Sequence, residues 1–213
     1  MFDGLLFDLD GTLWDSVDAI CVSWNRALAR LAPEYAGTVT RERLVPCMGM
    51  LLEDILARLA PGLDRDRMGP ILDRILEEEN AYVAAHGGVL FPGVEETLEA
   101  LARRYRLFIV SNCQDGYIEA FSHAHGLGRY FTDYEDPGRT GLDKAGNIAL
   151  VVRRNGLKNP LYIGDTQGDF DAASRAGVPF LHAAYGFGRI DRPVPSVAAF
   201  AAIPDAIRRL TPP

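Results

Sequence analysis

Two aspartates, Asp8 and Asp10, close an apolar run in the segment FDLDGTLWDS, and Gly11 and Thr12 follow at once. Downstream, Ser111-Asn112 comes directly after the apolar stretch LFIV, Lys144 stands in GLDKAGNIAL, and Asp165 and Asp169 fall in IGDTQGDFDAA. Four segments therefore supply carboxylates, one hydroxyl and one ammonium. Clustered carboxylates raise one another's pKa unless a cation sits among them. Mg²⁺ suits one to three carboxylates together with waters and phosphate oxygens, and the chain has no His or Cys cluster that would call for a softer ion. A single Asp after a strand is well explained as a turn or capping residue. The full set, with Ser111 and Lys144 in order, points to convergent chemistry.

For these groups to meet, the strands before them must end at one edge of one sheet, because ligands of doubly wound sheets bind beyond the carboxyl ends of the strands. Candidate strands are Leu5–Asp8, Leu107–Val110, Tyr130–Asp133, Leu161–Ile163 and Pro179–His182. Helical spacing lies between them, as in Val94, Leu98 and Leu101, and in Ile148, Val151 and Val152. This alternation predicts an α/β fold, a Rossmann-like doubly wound parallel sheet. Residues 16–86 break it, with helical stripes (Val17, Ile20, Trp24, Leu28, Leu31; Leu51, Leu52, Ile55, Leu56, Leu59; Ile71, Leu72, Ile75, Tyr82) and no strand. They are expected to form an inserted helical domain between residues 1–15 and 87–213 of the core, with the stripes packed as bundle core.

Composition bounds the rest. With 213 residues, 48% hydrophobic and 24% charged, the chain accommodates one substantial core and a smaller companion. A net charge of -7 with no basic run disfavours nucleic acid as a partner. Three cysteines without CxxC spacing are expected to be reduced thiols. No stretch approaches the roughly 18 apolar residues of a membrane helix, and no basic-then-apolar leader opens the chain, so a cytoplasmic protein with no membrane partner is expected. The oligomeric state stays open. Pro212-Pro213 is expected to be a frayed end.

The segments FDLDGTLWDS, VSN, the isolated Lys144 and IGDTQGDFDAA resemble, in order and spacing, the four motifs of the haloacid dehalogenase superfamily of aspartate-nucleophile phosphotransferases. The helical insertion resembles the mobile cap of its phosphoglycolate phosphatase-like branch. The resemblance implies a Mg²⁺-dependent phosphatase acting on a small phosphorylated metabolite. Asp8 would be the nucleophile that forms an aspartyl-phosphate. Asp10 would be the acid that protonates the leaving alcohol and then the base that activates water. The metal would be held by Asp8, the Asp10 backbone carbonyl, Asp165 and Asp169, the last directly or through water. Ser111 and Lys144 would hold phosphoryl oxygens, with backbone N–H groups around Leu9, Asp10 and Asn112 as further donors. True dehalogenases of this pattern lack the second carboxylate, so Asp10 points to phosphate chemistry. The third motif usually has Pro after its Lys, where this chain has Ala145. A sugar-phosphate mutase is the alternative within the superfamily; a non-catalytic receiver-like phospho-acceptor is the alternative outside it.

Other residues carry weaker expectations. Gly11 permits a tight chain reversal, Thr12 holds the turn, and Trp14 is read as packing under the cap, with substrate stacking the alternative. The loop PCMGMLLED (46–54) faces substrate, and no cap lysine is available for Schiff-base chemistry. Arg41 or Arg43 is a candidate for an anionic substrate, with a solvated surface the favoured alternative. Glu77-Glu78-Glu79 is expected to be a solvated helix face. TDYEDPGRTG is read either as rim or as plain surface loop. The four histidines have no ligand spacing, and the YGFGR loop is no nucleotide fingerprint.

Overall fold

The computed structural model describes residues 1–210; the frayed end expected at Pro212-Pro213 lies outside them. In chain order the elements are β1 (Gly4–Phe7), β2 (Trp14–Asp15), α1 (Val17–Leu31), α2 (Arg41–Leu44), α3 (Leu52–Leu59), α4 (Arg65–His86), β3 (Val89–Leu90), α5 (Val94–Ala102) and β4 (Arg106–Val110). Then follow α6 (Tyr117–His125), β5 (Phe131–Glu135), α7 (Pro137–Thr140), α8 (Lys144–Arg154), β6 (Pro160–Gly164), α9 (Gln167–Arg175), β7 (Phe180–Ala183), β8 (Ser196–Val197) and α10 (Ile203–Leu210).

Side chains alternate across a strand, and here both faces are covered, so the strands read as unbroken apolar runs. Leu5, Phe7, Leu107, Ile109, Leu161 and Ile163 pack with α5, α6 and α10 on one face. Leu6, Phe108, Val110 and Tyr162 pack with α8 and α9 on the other. The main sheet has the order β5-β4-β1-β6-β7-β8 and every pairing is parallel. The chain steps outward from β1 through β4 to β5, then returns to β6 on the opposite side of β1. The strand order thus reverses at β1, which places the ligand crevice at the carboxyl ends of β4, β1 and β6. The expected α/β doubly wound core is the observed one.

The expected boundaries shift slightly. β1 ends at Phe7 rather than Asp8, although the Asp8 N–H still donates to the Ile163 carbonyl at 2.8 Å. Three two-residue strands, β2, β3 and β8, were too short to leave a periodic signal. Two of them matter: β2 and β3 pair antiparallel, Trp14 with Leu90 and Asp15 with Val89, so the chain enters and leaves the helical insertion through one narrow ribbon.

Within the insertion, Val17, Ile20, Trp24, Leu28, Leu44, Leu56 and Ile75 form a hydrophobic core of their own. Asp64 caps α4 by accepting from the Asp66 N–H. α4 has 22 residues, about 33 Å of helix, and it serves two cores: Ile71, Leu72 and Ile75 belong to the insertion, whereas Val83 packs with the sheet cluster. Among the described residues no helix is long and apolar enough to cross a membrane.

Candidate active site

The carboxyl ends of β1, β4 and β6 bring the sequence-derived candidates together. Asp8 lies just past β1, Ser111 just past β4 and Asp165 just past β6, and all three are buried. Lys144 is the first residue of α8, whose N-terminus is capped by Asp143 accepting from the Gly146 N–H at 2.8 Å. With Ala145 in place of Pro, the helix still starts at Lys144 and the ammonium still reaches the carboxylates. Lys144 Nζ donates to Asp8 Oδ1 at 2.9 Å and to Asp169 Oδ1 at 2.5 Å, with all three residues buried. Burial pushes the ammonium down, but Asp169 and Asp8 outweigh it and hold Lys144 well above its ordinary value. Burial and Asp169 push Asp8 up to about 7 against the pull of Lys144.

Asp165 is answered differently. Its Oδ2 accepts from the N–H groups of Phe187 at 2.8 Å and Gly188 at 3.2 Å, while Oδ1 is buried without a partner. Burial, then Asp169 and Asp8, push it up to about 8. The loop after β7 can approach this closely because it carries glycine: a Cβ on Gly186 would lie 2.4 Å from Asp165 Cβ and 2.3 Å from the Gly11 carbonyl oxygen. Gly11 itself, at φ 79°, faces the same carboxylate, and its Cβ would lie 2.3 Å from Asp165 Oδ2. Ligand oxygens of Asp8, Asp165 and Asp169 lie within 4.8 Å of one another. Three acid groups around an orphaned buried carboxylate oxygen fit a hard divalent cation, since such an oxygen is costly when left unmatched. Asp169 is the most fully engaged of the three. Its Oδ1 takes Lys144, and its Oδ2 accepts from the N–H groups of Asp165 and Thr166 and from the Thr166 hydroxyl in a capping box.

Asp10 stands two residues from Asp8 in a different environment. Its Oδ1 accepts from Trp14 Nε1 at 2.9 Å, from the Tyr117 hydroxyl at 3.0 Å and from the Ser16 hydroxyl. Burial raises its pKa, and the Ser16, Tyr117 and Trp14 donors pull it back. The loop that carries it folds on the Leu9 carbonyl, which accepts from the N–H groups of Thr12 and Leu13, while no described residue accepts from the Leu9 or Asp10 N–H. Trp14 is fully buried edge-on to Tyr117, Phe121 and His125, so it packs as expected and also orients Asp10.

Between this loop and the insertion lies a small cavity of about 40 Å³, lined by Asp10, Glu79, Tyr117, Asn112 and Gln114 together with apolar residues of α1, α3 and the 46–54 loop. Met48, Gly49 and Met50 thus do face the site, and the Gly49 carbonyl accepts from Asn112 Nδ2 at 2.9 Å, tying the insertion to the end of β4. The rim reading of TDYEDPGRTG also fits: Pro137 and Gly141 line a cleft with Asn112 and Lys144.

One expectation is corrected, and for Arg41 and Arg43 the favoured alternative of a surface position holds. Glu79 is not on a solvated face with Glu77: it is 3% exposed, accepts from the Trp24 indole N–H, and is pushed up to about 7 by burial. The stripe of α4 that meets α1 turns it inward, a direction that the run of three identical residues conceals. Neither Arg41 nor Arg43 reaches the site; Arg41 pairs with Asp15 and Asp18, and Arg43 donates to the carbonyls of Thr38 and Leu59. Sequence reasoning also missed Ser16 and Tyr117 as partners of Asp10 and the Phe187–Gly188 N–H pair on Asp165. Ser16 stood beside the first motif, and YGFGR held two glycines with no stated purpose; Tyr117 left no signal.

The comparisons with known proteins agree with this geometry. The family model for haloacid dehalogenase-like hydrolases matches residues 5–183. The phosphoglycolate phosphatase of Escherichia coli strain K12 is 31% identical over 209 residues, covering 86% of this chain and 82% of that protein. A haloacid dehalogenase-like family hydrolase from Streptococcus pneumoniae superposes with a TM-score of 0.83 at 21% identity, over 97% of this chain and 98% of the other. A mutant CbbY from Rhodobacter sphaeroides, solved with xylulose-(1,5)bisphosphate, gives 0.75 at 19% identity over 94% and 96% of the two chains. Such homology makes this an enzyme and sets aside a non-catalytic phospho-acceptor: the chain belongs to the haloacid dehalogenase-like hydrolases, as a phosphatase of the phosphoglycolate phosphatase-like kind.

Proposed function

We propose that this enzyme is a Mg²⁺-dependent phosphatase that hydrolyses a small phosphomonoester in the cytoplasm through an aspartyl-phosphate on Asp8, with residues 16–86 as a cap over the site. The observation that carries the proposal is the buried set Asp8, Asp165, Asp169 and Lys144, with one Asp165 oxygen unmatched. Asp8, Asp165 and the Asp10 carbonyl would hold the metal; Asp169, with both oxygens engaged, would act on it through water and hold Lys144. When bound, the ion would neutralise charge on the phosphoryl group and on the attacking carboxylate.

The steps of the chain's own residues follow from the contacts. Lys144 occupies Asp8 Oδ1, which leaves Oδ2 to attack. An Asp8 oxygen forms a bond to phosphorus, the ester P–O bond breaks, and the leaving oxygen takes the proton of Asp10. Asp10, now a carboxylate, accepts a proton from water as the water oxygen attacks phosphorus and the Asp8–phosphorus link breaks. Phosphate leaves and Asp8 is restored. Ser111, Lys144 and the unengaged N–H groups of Leu9 and Asp10 would receive the equatorial oxygens. The three donors on Asp10 Oδ1 fix the orientation of the relay.

The test is phosphate release from a panel of phosphomonoesters in Mg²⁺ and in EDTA, with Asp8→Asn beside the wild type. Expected is metal-dependent turnover that Asp8→Asn reduces by about 10⁴-fold or more. Near wild-type turnover by Asp8→Asn would rule out the covalent step, and turnover requiring a bisphosphate activator would indicate the mutase.

A further inference from the structure

In the mechanism proposed above, on which this inference rests, the leaving oxygen meets Asp10, so the leaving group extends into the cavity that Asp10 lines. That cavity holds two acidic side chains, Asp10 and Glu79, and none of its lining residues is Lys, Arg or His. Its other polar groups, on Trp24, Asn112, Cys113, Gln114 and Tyr117, are neutral, and the remaining side chains are apolar. Arginines of the insertion are committed outside it: Arg41 to Asp15 and Asp18, Arg30 and Arg74 to Glu78.

A carboxylate on the leaving group would be desolvated between two acids with no counter-charge, an arrangement that selects against it. A hydroxyl instead finds an acceptor in Glu79, whose partner Trp24 can donate but not accept. Burial pushes the Glu79 carboxyl up to about 7, so above neutral pH it carries the charge that opposes a second carboxylate. The volume of about 40 Å³ favours a short chain. From this geometry we infer that the leaving-group subsite selects phosphomonoesters of small neutral alcohols bearing a second hydroxyl, that it rejects those bearing a carboxylate, and that Glu79 sets this choice.

Three substrates of nearly equal size isolate the charge: 2-hydroxyethyl phosphate, phosphoglycolate and O-phosphoethanolamine, assayed with the Mg²⁺-loaded enzyme at pH 8.5, where the Glu79 carboxyl is ionised. Expected is a kcat/KM for 2-hydroxyethyl phosphate at least about tenfold above phosphoglycolate, carried mainly by KM, because uniform binding is what differs. Glu79→Gln keeps an acceptor for Trp24 while removing the charge, and should narrow that ratio about tenfold by lowering the KM for phosphoglycolate. Equal or better use of phosphoglycolate by the wild type, a preference for the cationic substrate, or an unchanged ratio in Glu79→Gln would overturn the inference. Methyl phosphate, whose leaving group has neither a carboxylate nor a second hydroxyl, separates the two levels. Failure to hydrolyse it would defeat the phosphatase proposal itself, whereas hydrolysis of it with a preference for phosphoglycolate would defeat only the subsite assignment.

Discussion

The Lys144 cluster and the Asp10 cavity share one loop, Asp8 to Asp10, and differ in how their charges are met. Around Asp8 the acids are answered by an ammonium and by backbone N–H groups, all nearly without solvent. Around Asp10 and Glu79 the acids are answered by neutral donors, Trp14, Ser16, Tyr117 and Trp24, and by no cation. The first environment suits the role proposed for Asp8, a centre where phosphoryl charge would gather, since a fixed ammonium is already paired with that carboxylate. The second suits groups that must gain and lose a proton, since neutral donors stabilise a carboxylate without pinning it to the charged form. One loop thus presents opposite electrostatic environments two residues apart.

Removing the ammonium breaks this contrast most severely. Lys144→Met leaves Asp8 and Asp169 buried without a counter-charge, and turnover should fall roughly 10³-fold or more. Stability should change by less than the ~3–5 kcal/mol typical of a broken buried pair where the acids can protonate, and by that full amount where they cannot. Steady-state kinetics and urea unfolding at pH 6 and pH 9 measure both; a loss of activity under tenfold would mean that the cluster is not the reacting end.

The same contrast has a pH signature. In the metal-free protein Asp8 and Asp165 are pushed from 3.8 up to about 7 and about 8, so folding favours their protonated forms. Their contribution to stability is fully present below the ordinary carboxylate pKa and is lost as pH rises through those values. Lys144, held well above its ordinary value, keeps its charge throughout that window. Thermal unfolding in EDTA should therefore drop to lower temperature between pH 6 and pH 9, and added Mg²⁺ should restore most of the loss. A flat profile, insensitive to Mg²⁺, would contradict both the buried repulsion and the metal site.

How much of this was legible in the sequence follows the same division. The Lys144 cluster is built from charged residues at the ends of long apolar strands, so the sheet and the gathering of Asp8, Asp10, Ser111, Lys144, Asp165 and Asp169 at one edge of it were legible in the sequence. The cavity is assembled from α1, α3, α4 and the loop after β4, whose residues meet only through helix packing. Trp24 sits in a stripe that reads as ordinary bundle core, and it is core on one side and a donor to Glu79 on the other. Glu79 hides among three glutamates, and only the rotation of α4 against α1 buries it. α4 also crosses from one core to the other without a break, so the boundary near residue 86 marks the end of the helix rather than the place where packing changes, which lies between Ile75 and Val83.

The mildest way to sharpen the comparison is to remove one neutral donor from Asp10. Tyr117→Phe deletes a 3.0 Å hydrogen bond and leaves Trp14 and Ser16 in place. The ring keeps its edge contact with Trp14, so the packing survives. The lost bond should cost about 0.5–1.5 kcal/mol, equivalent to a roughly 2- to 12-fold fall in kcat if it falls entirely on the transition state. In the proposed relay Tyr117 would be a positioning residue, whereas a purely structural role predicts the loss without a change in pH dependence. Because its donor lowers the Asp10 pKa, its removal should instead move the pH profile of kcat upward on the limb governed by Asp10. An unshifted profile with reduced kcat would leave Tyr117 as packing alone and would transfer control of the relay to Ser16 and Trp14.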